Sequence, residues 1–263
     1  RRMTIPTTSK NNSVWKRATR FGIFALALGG FAAFAGTTHA GSVSDWVQAN
    51  HASSRLVIDV AEWKGNKSAI VAGIHVKLDD GWKTYWRNPG DAGLPPNFDW
   101  SGSENLKRAQ VLWPAPIRFH DSAGTSYGYK KEVIFPVVIE AVDHTKPVSL
   151  KLRMEYAVCA DICIPVEASM KIASGKNGLF SRSYSKIIQK YLSRVPSRIE
   201  AGTKTGIGVT IAKAKLTGQN PVLIFDARFP SGGTETDLFV EGTEGYYLPP
   251  TKRLAKQKDG SIR

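Results

Sequence analysis

The chain has little of what usually marks an enzyme. It contains no His-Glu-x-x-His zinc motif, no Gly-Lys phosphate loop and no Gly-x-Ser-x-Gly nucleophile elbow. The sequence therefore gives no ground for zinc-proteolytic, nucleotide-hydrolysing or α/β-hydrolase chemistry. Past residue 40 the histidines His51, His75, His120 and His144 are too widely scattered to read as a ligand cluster. Asp79, Asp80, Asp91 and Asp99 read as turn residues rather than catalytic carboxylates. Past residue 40 no segment is long and apolar enough to span a membrane. No internal repeat or low-complexity tract occurs. Cysteine is scarcest of all: Cys159 and Cys163 are the only two in 263 residues.

One long apolar run is present, Phe21 to Gly36. It follows the basic residues Lys16, Arg17 and Arg20 and precedes the small-x-small site Thr38-His39-Ala40. This is the pattern of a secretory signal peptide over residues 1–40, with Gly41 first in the mature chain. The run is 16 residues, short of the roughly 20 that a spanning helix needs. An uncleaved leader would instead anchor the protein to a membrane. No cysteine follows the site, so a lipid anchor is not suggested. Lys and Arg number 36 against 22 Asp and Glu. Six of the basic residues lie in the leader, so the remainder is only moderately basic. Nucleic acid is not an expected partner for an exported chain of this charge; a solvated surface is the ordinary reading.

The mature chain reads as all-β from about Trp46 to Ala173. Val148, Leu150, Leu152, Met154 and Tyr156 alternate with Ser149, Lys151, Arg153 and Glu155. That is a period of two, with one face buried and one wet. Val166, Ala168, Met170 and Ile172 repeat the pattern. Further strands are expected at Leu56–Trp63, Ala69–Leu78, Ala109–Trp113 and Val133–Ala141, separated by Gly-, Asn- and Asp-rich turns. Such spacing predicts an antiparallel sandwich over 41–175. Asn88–Asn97 and Pro114–Gly128 read as long connections, where function tends to sit. Tyr184, Ile187, Ile188, Tyr191 and Leu192 share one helical face, so a linker helix is expected within residues 176–205. Gly208–Leu216, Val222–Phe229 and Asp237–Val240 predict a second, smaller β-region over 206–263. It ends Lys258-Asp-Gly-Ser-Ile-Arg263 with no terminating element and reads as incomplete.

The cysteine pair carries the chemistry. A disulfide needs Cα atoms about 4.4–6.8 Å apart, whereas extended chain would separate residues 159 and 163 by roughly 13 Å. The chain must therefore reverse between them. A ring of about five residues stabilises a fold by only about 2 kcal/mol, which matters little to a large domain. A bridge across so tight a turn is expected to be strained and exchangeable. Glu155, Asp161 and Glu167 oppose a thiolate, and Val158, Ile162 and Ile164 would desolvate it. No Lys, Arg or His lies within the local motif, so these thiols do not look self-activated unless a loop brings in Arg118 or His120. Three readings stay open: a catalytic dithiol, an inert bridge, and a Cu(I) site of two thiolates. Met154 and Met170 could add thioether ligands to the last, although alternation puts both on the apolar face. Trp82, Tyr85, Trp86, Trp100 and Trp113 could line a sugar groove, but core and rim packing explains them more simply.

Tyr156-x-x-Cys159-x3-Cys163-x-Pro165, ending one strand and opening the next, resembles the N-terminal periplasmic domain of the thiol:disulfide interchange protein DsbD and its relative ScsB. Asp80-Gly-Trp-Lys-Thr-Tyr85, Trp113–His120 and Tyr127–Pro136 agree in the same order. The resemblance spans roughly residues 50–173. It implies an immunoglobulin-like sandwich in the periplasm with a redox-active cysteine pair and no organic cofactor or metal. It implies electrons taken from a membrane-embedded thiol donor and passed to thioredoxin-fold proteins, among them disulfide isomerases and cytochrome c maturation factors. Cys163 would form the mixed disulfide and Cys159 would resolve it. Phe119–Tyr129 would match the family's shielding cap, with Phe119, His120, Tyr127 and Tyr129 as cap residues and Pro165 beside the docking surface. Tyr127 would be the shielding aromatic. The spacing of three residues is shorter than in DsbD, and the cap lacks its acidic-aromatic run. The chain would work as a detached module.

Overall fold

The computed structural model describes residues 42–122, 124–174, 182–199, 208–215, 221–229, 236–242 and 248–263. By its contacts the chain divides into residues 1–37 and residues 38–263. The expected leader, residues 1–40, lies outside the described residues, as do 176–181 and 200–205 of the expected linker. Among the described residues no helix is long and apolar enough to cross a membrane.

The strands are β1 (Val47–Ala49), β2 (Ala52–Trp63), β3 (Asn66–Leu78), β4 (Lys83–Gly90), β5 (Asn97–Asp99), β6 (Leu106–Val111) and β7 (Ile117–Asp121). There follow β8 (Gly124–Lys130), β9 (Glu132–Ala141), β10 (Ser149–Cys159), β11 (Cys163–Ala173), helix α1 (Ser185–Leu192), β12 (Gly208–Lys215) and β13 (Val222–Arg228). One sheet has the order β1-β2-β3-β9-β6, and a second the order β11-β10-β4-β8-β7 with β5 also on β10. The ladders are antiparallel. β12 and β13 form a separate two-stranded sheet. The protein is thus an antiparallel sandwich followed by a helix and a small β-unit.

Alternation explains the layering. On β10, Leu150, Leu152, Met154, Tyr156 and Val158 are buried, while Lys151, Arg153 and Glu155 face water. With Val166, Ala168, Met170 and Ile172 of β11 they meet Leu56, Ile58, Ala72, Ile74 and Phe135 of the first sheet in one core. Full burial is worth about 1.5–3 kcal/mol for each large apolar side chain. Tyr156 adds a cross-sheet bond, its hydroxyl 2.9 Å from that of buried Ser54. On the first sheet's outer face, Ile188 and Leu192 of α1 cover Val57, Ala61 and Val71. Buried Asp59 fixes the start of α1 by accepting the Tyr184 N–H at 3.0 Å. The helix occupies less than its periodic stretch. Its end tightens into bonds from Arg194 N–H to Tyr191 and Val195 N–H to Leu192, and Pro196 disfavours helical backbone at Val195.

Three expectations change. The Pro114–Gly128 connection holds a β-hairpin, β7–β8, which turns at Gly124 with φ of +118°. The Asn88–Asn97 connection is shorter at both ends, because β4 runs to Gly90 and β5 begins at Asn97. Asp237–Val240 is not a strand. Instead Asp237 accepts two bonds from Arg118, at 2.8 and 2.7 Å, and Phe239 packs edge-on against Tyr127 and Trp86. The aromatics do not form a groove: Trp86 is in the core, Trp82 stacks on His51, and Trp113 packs on Phe135.

Candidate functional site

Strands β10 and β11 run up to the cysteines, and only Ala160, Asp161 and Ile162 form the reversal. Cys159 and Cys163 are cross-strand partners joined by a disulfide, with Cα atoms 4.1 Å apart. The two sulfurs have different surroundings. Cys159 is 1% exposed, whereas Cys163 is exposed. Cys159 follows Ala157 by two residues and therefore shares its side of the sheet, opposite to Val158 and Tyr156. The bridge lies on the outer face of the second sheet, with Tyr85 and Ala157 as its buried companions.

β4 supplies the cover. Thr84 donates its hydroxyl to the Ala157 carbonyl at 2.9 Å, locking β4 to β10. Tyr85 then places its hydroxyl 3.5 Å from the Cys163 sulfur. A disulfide sulfur carries no proton, so the phenol is the donor. Burial, and secondarily the Asp121 charge, push the Tyr85 phenol above its ordinary range, which keeps it a donor. Gly93, with φ of +118°, presses on this ring: a Cβ there would sit 2.3 Å from it. Gly93→Ala should therefore tilt Tyr85 off the sulfur at a cost of order 1–3 kcal/mol. Faster reduction of the bridge by dithiothreitol is the expected readout; an unchanged rate would deny Tyr85 a shielding part.

Lys83, also on β4, is the register partner of Cys159 on one side and of Lys130 on the other. It is buried and pairs with Asp121 at the end of β7. The ring of buried Phe119 lies 5.2 Å from the Lys83 ammonium and 5.0 Å from that of Lys130. The hairpin is held to the loop after β4 by the Thr125 N–H to Asp91 carboxylate bond, 2.8 Å.

The residues expected in the cap are spread over two faces. Phe119 belongs to the cysteine side through Lys83. His120 is exposed and lies 3.0 Å from the Thr125 hydroxyl. Tyr127 and Tyr129 turn into the core, the first against Phe239 and the second donating to the Pro114 carbonyl at 2.8 Å. The aromatic hydroxyl bonded to Cys163 is that of Tyr85. Pro165 is exposed, two residues past Cys163, opposite Ala157. Arg118 is engaged by Asp237 and Thr251, so neither loop cation expected near the thiols is the one the fold supplies. Glu155 and Glu167 pair with Arg153, and Ile162 is 66% exposed, so it does not desolvate the pair. Met154 and Met170 face the sandwich interior, on the side of the sheet away from the sulfurs. Lys83 and Tyr85 lie in a stretch the sequence singles out, Asp80–Tyr85, yet nothing local marks Lys83 as a site residue, and Tyr85 stands out only as a possible groove aromatic.

Comparisons with known proteins agree with this geometry. The profile of the family described as thiol:disulfide interchange protein DsbD, N-terminal, matches residues 56–174. No curated protein matches the chain. Among solved structures, the N-terminal periplasmic domain of ScsB from Proteus mirabilis superposes with a TM-score of 0.51 at 24% identity, covering 65% of this chain and 64% of that one. The chain thus spans somewhat under two thirds of that relative's length. The reduced DsbD N-terminal domain of Neisseria meningitidis gives a TM-score of 0.28 at 19% identity, covering 45% of this chain and 82% of that one. The matched segment contains both sheets' central strands and the whole cysteine hairpin. Residues 56–174, an antiparallel β-sandwich segment that carries the cysteine hairpin, are thus similar to the DsbD N-terminal thiol:disulfide interchange family.

Proposed function

We propose that the chain is an exported, periplasmic relay that takes two electrons from a membrane-embedded thiol donor and gives them to thioredoxin-fold proteins. The observation that carries this is the asymmetry of the bridge: Cys163 is open to attack and Cys159 is not. In the charging step a donor thiolate attacks the Cys163 sulfur, and the S–S electron pair leaves on Cys159. A second donor thiolate then attacks the first donor sulfur and expels Cys163 as a thiolate, so the donor is left as a disulfide and the module holds two thiols. In delivery, the Cys163 thiolate attacks a partner disulfide and forms a mixed disulfide. Cys159 then attacks Cys163, releasing the partner reduced and restoring the bridge. No organic cofactor enters these steps. The exposed apolar residue Ile162, next to Cys163 in the turn, offers an apolar contact for such a partner. The leader-like residues 1–40 and the periplasmic setting of the ScsB relative support export.

The copper-binding alternative loses its extra ligands, because the methionines that would complete the site face the core. Equilibration of the Cys159–Cys163 pair across a glutathione series tests the relay. A reduction potential well above about −300 mV, the level below which structural bridges fall, is expected. A pair that stays oxidised throughout would make the bridge a staple and overturn the relay.

A further inference from the structure

Opening the bridge leaves charge on a sulfur that the fold buries. Cys159 is 1% exposed, with Tyr85 and Ala157 packed on it. Burial in such surroundings opposes a thiolate. The exchange steps nevertheless need Cys159 as a thiolate twice, first as leaving group and then as attacking nucleophile. The neighbour that answers this need is Lys83. It stands directly opposite Cys159 in the β10–β4 ladder. Side chains so paired project on the same face with Cβ atoms about 4.5–5.5 Å apart. The Lys83 side chain is only 10% exposed, so its charge is little screened by water. A buried ammonium requires a partner, and Asp121 provides one from β7.

We infer that Lys83, held in place by Asp121, is the counter-charge for the Cys159 sulfur whenever exchange leaves it as a thiolate. The inference rests on the relay proposed above and adds the residue that lets a buried cysteine take part. In the oxidised protein the Lys83 charge is balanced by Asp121. On reduction, the new negative charge on Cys159 shares the same ammonium. The role of Lys83 is electrostatic, and no proton is transferred through it. Among the described residues, Tyr85 on β4 and Lys130 on β8 also lie at this corner, and Asp161 is an exposed residue of the turn that follows Cys159. Lys83 is a positioning residue for charge rather than a reacting group.

The test isolates Cys159 in a Cys163→Ala background and follows thiolate absorbance in the ultraviolet against pH. Lys83→Met should raise the thiolate midpoint by about one pH unit, a tenfold loss of thiolate at fixed pH below it. Lys83→Arg should hold the midpoint near the parent value. Asp121→Asn should move it the other way, because it removes the competing carboxylate. With both cysteines present, Lys83→Met should slow resolution of a mixed disulfide with a thioredoxin-fold bait, and higher pH should restore the rate. A purely structural Lys83–Asp121 pair would change stability and leave the midpoint alone, and that result would overturn the inference. If Lys83→Met fails to fold, Asp121→Asn decides: an unmoved or raised midpoint overturns the inference. A shifted midpoint without any exchange to the bait would overturn the relay and leave Lys83 as counter-charge.

Discussion

Cys159→Ala should arrest exchange at a mixed disulfide on Cys163, while Cys163→Ala should form none. The bait is a thioredoxin-fold protein with one active-site cysteine, activated as its 5-thio-2-nitrobenzoate adduct. The Cys163 thiolate displaces nitrothiobenzoate and joins the bait. In the wild type Cys159 then releases the bait, so the adduct is transient. Without Cys159 nothing resolves it, and the adduct should accumulate to near one per molecule. Without Cys163 the remaining sulfur is the one the fold hides, 1% exposed beneath Tyr85. Nucleophilic attack requires access as well as thiolate character. Non-reducing electrophoresis and intact mass read both outcomes. Equal accumulation in the two variants would reverse the inference drawn from exposure.

Gly128→Ala should be among the most destabilising single-methyl additions in the sandwich. Gly128 pairs with Tyr85 across β4–β8, and a Cβ there would lie 1.9 Å from the Thr84 carbonyl oxygen. The obstacle is backbone, so no side-chain rotation relieves it. Overpacking usually costs about 1–3 kcal/mol, and a clash with an immobile main chain belongs at or above the top of that range. The urea midpoint should fall with little change in slope. The same variant should loosen β4 from β8, and with it Lys83 and Tyr85 from the cysteines. Faster reduction of the bridge should therefore accompany the loss of stability. An unfolding free energy within about 0.5 kcal/mol of wild type, the range of ordinary surface changes, would mean that the two strands do not approach so closely.

How far the sequence reveals this site depends on whether its signals are local. β10 and β11 are legible because each keeps one wet face, so polar and apolar residues alternate, whereas β2, β3 and β9 lie beneath α1 or inside the sandwich and are legible as apolar runs bounded by turn residues. The reversal between the cysteines is legible from reach alone. β4 is not, because Lys83, Thr84, Tyr85 and Trp86 are all buried. A strand covered on both faces loses the period of two. The β7–β8 hairpin hides for another reason: proline precedes it, and glycine, serine and threonine make its return strand look like loop. Lys83 is the instructive case. The local motif lacks a cation, and the cation arrives through a ladder pairing residues 83 and 159. Tyr127 shows the reverse limit. A resemblance can locate a segment, but strand alternation decides which of its aromatics turn inward, and here Tyr127 and Tyr129 do.

The register of the cysteine hairpin has a consequence for kinetics. Eleven consecutive residue pairs zip β10 to β11, from Ser149 with Ala173 to Cys159 with Cys163. The ladder, with Met154 and Met170 anchored in the core, holds the two cysteine backbones together whether or not their sulfurs are bonded. After reduction the thiols remain neighbours by architecture. Each therefore meets the other at a high effective molarity, the advantage of a reaction within one rigid frame. Ring closure in such a frame has little chain entropy left to lose. A mixed disulfide on Cys163 should accordingly be short-lived, expelled by a nucleophile that never has to diffuse.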